Sequence, residues 1–232
     1  MELPLSDVPP DGATDCSACE FNFRPAEYVD ESWFDLLGER ALLDRLSRSR
    51  RARPWLSRQL IRQFHLTDGV LWSRGQDPLG LALLDPQALH AVVLRSGICL
   101  YASHLRSLVD GPSVRALVEG VGQDVYAFGL REGREILATL ELPQAGSADA
   151  TTLAREVPGL GVSILRAGCS GMADSIFHRL LIKLPLEWSH GLVFREPPMA
   201  ADTARCLLEC VLNDGETGHD RHVGERNPSA HP

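Results

Sequence analysis

Residues 85–131 read DPQALHAVVLRSGICLYASHLRSLVDGPSVRALVEGVGQDVYAFGLR, and this stretch decides the fold class. Asp85-Pro86 opens it as helices open. The Asp side chain can cap free N–H groups, and Pro at the first helical position gives up an N–H that would lack a partner there anyway. Apolar residues then recur at Leu89, Val92, Val93, Leu100, Leu105 and Leu108, close to the helical period. After a turn at Asp110-Gly111-Pro112, a second stripe runs through Val114, Leu117, Val118, Val121, Val125 and Phe128. That is the i, i+3, i+4, i+7 pattern of one amphipathic face. Neither stripe carries a nucleophile, a base or a metal-ligand set. The block is built to pack and to present a surface, which argues against an enzyme.

Moving outward toward the N-terminus, residues 1–20 are acidic, bear Pro and Gly, and lack any period, so they read as a disordered acidic arm. Alternation of Phe21 and Phe23 suggests an extended piece, with Pro25 starting a turn or helix. A helix is expected from about Asp30, with Trp33, Phe34 and Leu37 inward. Gly38 interrupts it, and Leu42, Leu43 and Leu46 resume the pattern. Arginines then crowd the chain at 45, 48, 50, 51, 53, 58 and 62. Pro54 starts a helix to about His65, and Val70-Leu71-Trp72 could form a short strand within a loop.

Toward the C-terminus, residues 134–142 fit either a helix or a strand, and 143–149 read as a linker. Thr151 to Val157 is expected to be a helix ended by Pro158, with a separate helix over Leu160 to Ala167. Met172, Ile176, Leu180 and Leu184 form a further stripe closed by Pro185. Pro197-Pro198 open a last helix with Met199, Thr203, Cys206, Leu207 and Cys210 on one face, stopped at Asn213-Asp214-Gly215. The expectation is a predominantly α fold: one compact multi-helix domain over 21–214, at most a short β-hairpin, and a disordered tail over 215–232.

The chain has 232 residues, 44% of them hydrophobic, enough for a core without disulfides or metals. It has no apolar run long enough to span a membrane and no signal-peptide pattern, so a cytoplasmic protein without direct membrane insertion is expected. Its net charge of −8 argues against a nucleic-acid partner. Lys183 is the sole lysine among 23 basic residues.

Cys16-x-x-Cys19 has metal-ligand spacing, but a tetrahedral site would need His219 and His222 from the other end of the chain. No metal is expected, and Cys99, Cys206 and Cys210 read as small core residues. Gly120 to Gly129 resembles a phosphate-binding loop, yet an apolar stripe passes through it and no strand precedes it. Its glycines read as marks of close helix approach or breaks, and no cofactor is expected. No Gly-x-Ser-x-Gly elbow singles out a serine. The arginine cluster is the one feature with charge asymmetry. It reads either as a solvated face or as a patch for an acidic protein partner. Arg48, Arg50, Arg51 and Arg53 are its candidate contacts, joined by Trp55 and Trp72, because interface energy concentrates in arginines and aromatics.

The order of these pieces resembles a known family. Phe21-x-Phe23-x-Pro25-Ala-x-Tyr28 looks like the aromatic–proline opening of the YscK/SctK proteins of type III secretion systems. Leu79 to Leu130, with its Leu94-Arg95-Ser96-Gly97 step, is similar to the family's central segment. Arg179-Leu-Leu-Ile-Lys-Leu-Pro-Leu186 looks like its late element. The resemblance implies a non-enzymatic adaptor of the cytoplasmic sorting platform, peripheral at the cytoplasmic face of the inner membrane. Its implied partners are the cytoplasmic domain of the inner-membrane ring protein and the pod protein, and through the latter the stator and the ATPase. The alternative is a small-molecule-binding domain or enzyme whose site forms only in three dimensions.

Overall fold

The computed structural model describes residues 16–71, 76–77, 79–142, 148–189 and 199–220, and every regular element among them is helical. The α-helices are α1 (Cys16–Phe23), α2 (Arg40–Arg48), α3 (Arg53–Gln63), α4 (Pro86–Cys99), α5 (Ala102–Leu105), α6 (Gly111–Val121), α7 (Gln123–Arg131), α8 (Gly133–Thr139), α9 (Ala150–Gly168), α10 (Asp174–Leu181), α11 (Leu186–Ser189) and α12 (Ala201–Asp220). Short 3₁₀ turns occupy Pro25–Glu27, Glu31–Leu36 and Leu81–Leu83. The expectation of a predominantly α fold holds. The described residues group into two compact units, one drawn from Met1–His90 and Cys169–Phe194, the other from Ala91–Gly168 and Arg195–Pro232.

In the first unit, Phe34, Leu43, Leu56 and Leu60 form a core that joins the Glu31–Leu36 turn to α2 and α3. Asp30 starts that turn by accepting from the Ser32 N–H. A second organising feature lies just past α10. A helix end leaves carbonyls without partners, and here three successive ones are met from elsewhere. Ile182 O accepts from the Asp30 N–H at 2.8 Å, Lys183 O from His90 Nε2 at 2.9 Å, and Leu184 O from Trp33 Nε1 at 2.7 Å. The Lys183 ammonium points the other way. It donates to Ala82 O and Leu84 O, both at 2.7 Å, and lies about 5 Å from the ring centroids of Phe21 and Tyr28. Those rings stack on each other, and Tyr28 Oη donates to Phe21 O.

Arg179, one turn before Lys183, is also buried; its guanidinium donates to Leu66 O, Gly69 O and Ser175 O. Asp77 is the buried counter-charge. Its carboxylate accepts from the Leu81 and Ala82 N–H groups and so caps the Leu81–Leu83 turn. Burial raises its pKa, and those N–H groups pull it back.

In the second unit, α9 is buried nearly all round along its C-terminal half and packs against α6 and α12. It also crosses the second-unit part of α4 through a reciprocal contact. A Cβ on Gly97 would stand 2.2 Å from Val157 O, and a Cβ on Gly161 would stand 2.0 Å from Val93 O. Each helix places a glycine four residues after a valine, and each glycine rests on the other helix's valine carbonyl. Only glycine lets two backbones meet this closely.

Several local expectations give way to tertiary packing. Phe21 and Phe23 sit on a helix, because Phe21 and Asn22 are buried side by side while Phe23 faces out. Residues 16–20, read as part of a disordered arm, form the start of α1. The strand at 70–72 is not formed at Val70 or Leu71, and Trp72 lies outside the described residues. The Asn22 amide takes both backbone groups of Leu71, as a neighbouring strand would have done. Residues 133–139 are helical, which settles the ambiguity there. Pro158 does not end its helix. The lost hydrogen bond costs about 3 kcal/mol, and burial of Val157, Pro158, Gly161 and Val162 offsets it. The apolar stripe from Val114 to Phe128 belongs to two helices, broken at Gly122 with φ +91. On α12 the buried stripe is Ala204, Leu207, Leu208 and Val211, which turns Cys206 outward, leaves Cys210 half-buried, and carries the helix past Gly215 to Asp220. Cys99 is a core residue as read, with its thiol pushed up to about 12 by burial.

Two predictions follow from these contacts. Gly161→Ala should lose at least about 3 kcal/mol of stability, since the clash is with backbone. Gly159→Ala, with nothing within 4 Å of its added Cβ, should be neutral or gain up to about 1 kcal/mol. Urea unfolding of the two variants checks both, and equal losses would contradict the crossing geometry. The second concerns Lys183, whose pKa burial lowers to about 8. Between that value and the unfolded pKa of about 10.4, the unfolded chain binds a proton the native chain does not, so stability rises with pH. The stability difference between wild type and Lys183→Met should therefore shift toward wild type by roughly 3 kcal/mol from pH 7 to pH 10.5. A pH-independent difference would show that the amine is not desolvated.

Candidate functional site

Residues 40–63 hold eight arginines and one aspartate, while the rest of the chain carries thirty acidic and fifteen basic residues. The structure sorts these arginines by what they touch. Arg40 pairs with Asp35 at 3.0 Å and reaches Asp44 at 3.7 Å. Arg53 pairs with Glu27 at 2.6 Å and donates through Nε to Ser47 O at 2.7 Å. Arg53, a candidate contact from the sequence, is thereby engaged in holding the end of α2 and the Pro25–Glu27 turn to the start of α3. No carboxylate among the described residues pairs with Arg45, Arg48, Arg50, Arg51, Arg58 or Arg62, and all six are exposed.

α3 carries the centre of this surface. Leu56, Ser57 and Leu60 point into the core, and Ser57 Oγ accepts from the Ala26 N–H. Trp55, Arg58 and Arg62 lie at i, i+3, i+7, on the opposite face. Trp55 is 45% exposed, which fits the condition under which it joins the candidate contacts. Arg50 and Arg51 precede α3, and Arg45 and Arg48 share a face of α2 three residues apart. The first turn of α3 contains no acidic residue, although a helix N-terminus favours one. Arg58 and Arg62 were visible in the sequence as members of the cluster. Their spacing from Trp55 is the signal that places them on its face. Trp72 lies outside the described residues.

The interior cations are a separate matter. Arg179 and Lys183 are each about 2–3% exposed and bonded to carbonyls, so they serve the fold. Among the described residues no group of three or more His, Cys, Asp or Glu is placed to hold a metal ion, and of the Cys16, Cys19, His219 and His222 set only half-buried Cys19 has a described side chain. No described helix is long and apolar enough to cross a membrane.

Residues 16–213 match the family described as YOP proteins translocation protein K, YscK. The chain belongs to the YscK family. Its role is therefore in type III secretion. No curated protein and no solved structure matches it. The YscK match runs from the first residue of α1 into α12 and includes both compact units. It also gives physical meaning to the segments that carried the resemblance. Phe21 and Tyr28 from the first segment meet Lys183 from the last, and Gly97 from the middle one forms half of the α4–α9 crossing.

The sorting of the arginines predicts a split in stability. Arg53→Ala should cost about 1 kcal/mol, since an exposed ion pair and a part-buried bond to backbone are both lost. Arg58→Ala and Arg62→Ala should change stability by less than about 0.5 kcal/mol. Thermal or urea unfolding of the three variants reads the difference, and a large loss at Arg58 would mean that it has a structural partner.

Proposed function

We propose that the protein is a non-enzymatic adaptor of the type III secretion sorting platform. In this reading it joins the pod protein, with the stator and ATPase behind it, to the cytoplasmic domain of the inner-membrane ring protein, and sits peripherally at the cytoplasmic face of the inner membrane. The observation that carries the reading is the YscK family match over residues 16–213. The surface chemistry supports it: exposed guanidinium groups near an exposed tryptophan, without carboxylate partners among the described residues, suit the capture of another protein better than turnover of a small molecule.

A pull-down with the full chain as bait in a lysate of its own source, followed by mass spectrometry, tests the proposal. Recovery of both the pod protein and the ring protein is expected. A folded bait that recovers neither would overturn it.

A further inference from the structure

We propose that the exposed face of α3, formed by Trp55, Arg58 and Arg62 with Arg48, Arg50 and Arg51 beside its N-terminus, binds an acidic amphipathic segment of a partner protein. An apolar residue of that segment packs on Trp55, and its carboxylates meet the arginines. This deepens the adaptor reading and rests on it.

Six exposed arginines without carboxylate partners among the described residues occupy one short stretch of a chain whose remainder is strongly acidic. Such segregation has no value for stability. Like charges gathered near the start of α3 oppose its dipole, and among the described residues only Arg40 and Arg53 of this stretch gain ion pairs. A partner's carboxylates would supply what is missing.

The kind of cation also matters. Every basic residue in this stretch is arginine. A guanidinium meets a carboxylate with two parallel hydrogen bonds and is less strongly hydrated than an ammonium, so it gives up water at lower cost. Trp55 matters too. Exposed ion pairs contribute little singly, so arginines alone would give steering without much residence. A large aromatic in their midst, with few rotatable bonds, is the usual anchor. α3 is pinned from below by fully buried Leu56 and Leu60, so the face is displayed without needing to be ordered on binding.

Other occupants fit less well. A membrane-seated helix needs an apolar face, and this side of α3 has one apolar residue. Single-stranded nucleic acid calls for several stacking rings along the basic track, and among the described residues of α3 the exposed ring is Trp55 alone.

The test uses the full chain and a fluorescein-labelled twelve-residue peptide with glutamates on most positions and two leucines four residues apart. A second peptide has both leucines replaced by serine. Fluorescence anisotropy should show saturable binding of the first peptide that weakens with salt. R58E/R62E and W55A should each weaken it at least tenfold, and the serine peptide should bind at least fivefold more weakly to wild type. R131E/R134E, which makes the same charge change in the other unit, should leave it unaltered. Absence of saturable binding, equal binding by R58E/R62E, or an equal loss in R131E/R134E would overturn the proposal. So would tight binding to phosphatidylglycerol vesicles that depends on Trp55 while the peptide fails to bind, because the face would then belong to a lipid surface. R58E/R62E as bait separates this inference from the adaptor reading. If it still recovers the pod and ring proteins, the face is wrong and the adaptor reading stands. If wild type recovers neither, the adaptor reading falls, and the anisotropy result judges the face separately.

Discussion

The carbonyls of residues 182, 183 and 184 are the constraint on which the first unit depends. A helix that stops leaves acceptors pointing outward, and inside a protein each one must find a donor. Here the donors are the Asp30 amide, the His90 ring and the Trp33 indole, drawn from parts of the chain far apart in sequence. The Lys183 side chain then binds in the opposite direction, to the carbonyls of Ala82 and Leu84 and to the faces of two rings. One short segment thereby locates the Glu31–Leu36 turn, the start of α4, the Leu81–Leu83 turn and the C-terminal end of α1. Because the Glu31–Leu36 and Pro25–Glu27 turns support α2 and α3, the arginine face inherits its position from this buried polar seam.

The second unit is organised differently. Its centre is a contact between backbones. Val93–Gly97 and Val157–Gly161 mesh so closely that the side chain is what must be absent. The packing that results is strong enough to carry α9 through a proline, at a position where local chemistry favours a break. The two units show two ways of meeting the same need. One satisfies buried polar groups with specific donors, and the other removes atoms so that apolar faces can close.

What was legible in the sequence was what local chemistry decides. Asp85-Pro86 and Asp110 with Pro112 mark helix starts through groups within three residues, and both caps are present, at Ala88 and Ser113. The period of Trp33, Phe34 and Leu37, and the break at Gly38, are equally local. What was not legible depended on distant partners. Nothing near Pro158 announces that its neighbours will be buried. Nothing near Leu71 says that Asn22 will occupy both its backbone groups. The candidate surface shows the same division: the run of arginines and their spacing from Trp55 could be read directly, while the engagement of Arg53 by Glu27 needed the fold.

The placement of Lys183 has a practical consequence for anyone mapping this protein's neighbours. The chain's sole lysine is 3% exposed and locked between carbonyls and rings. Amine-directed cross-linkers, biotin esters and ubiquitin-type conjugation all require an accessible lysine, so along its side chains the folded protein offers them no handle. Reagents that target carboxylates or guanidinium groups would instead label it densely. A contact map built on lysine side chains would miss the folded surface of this protein however many partners it touched.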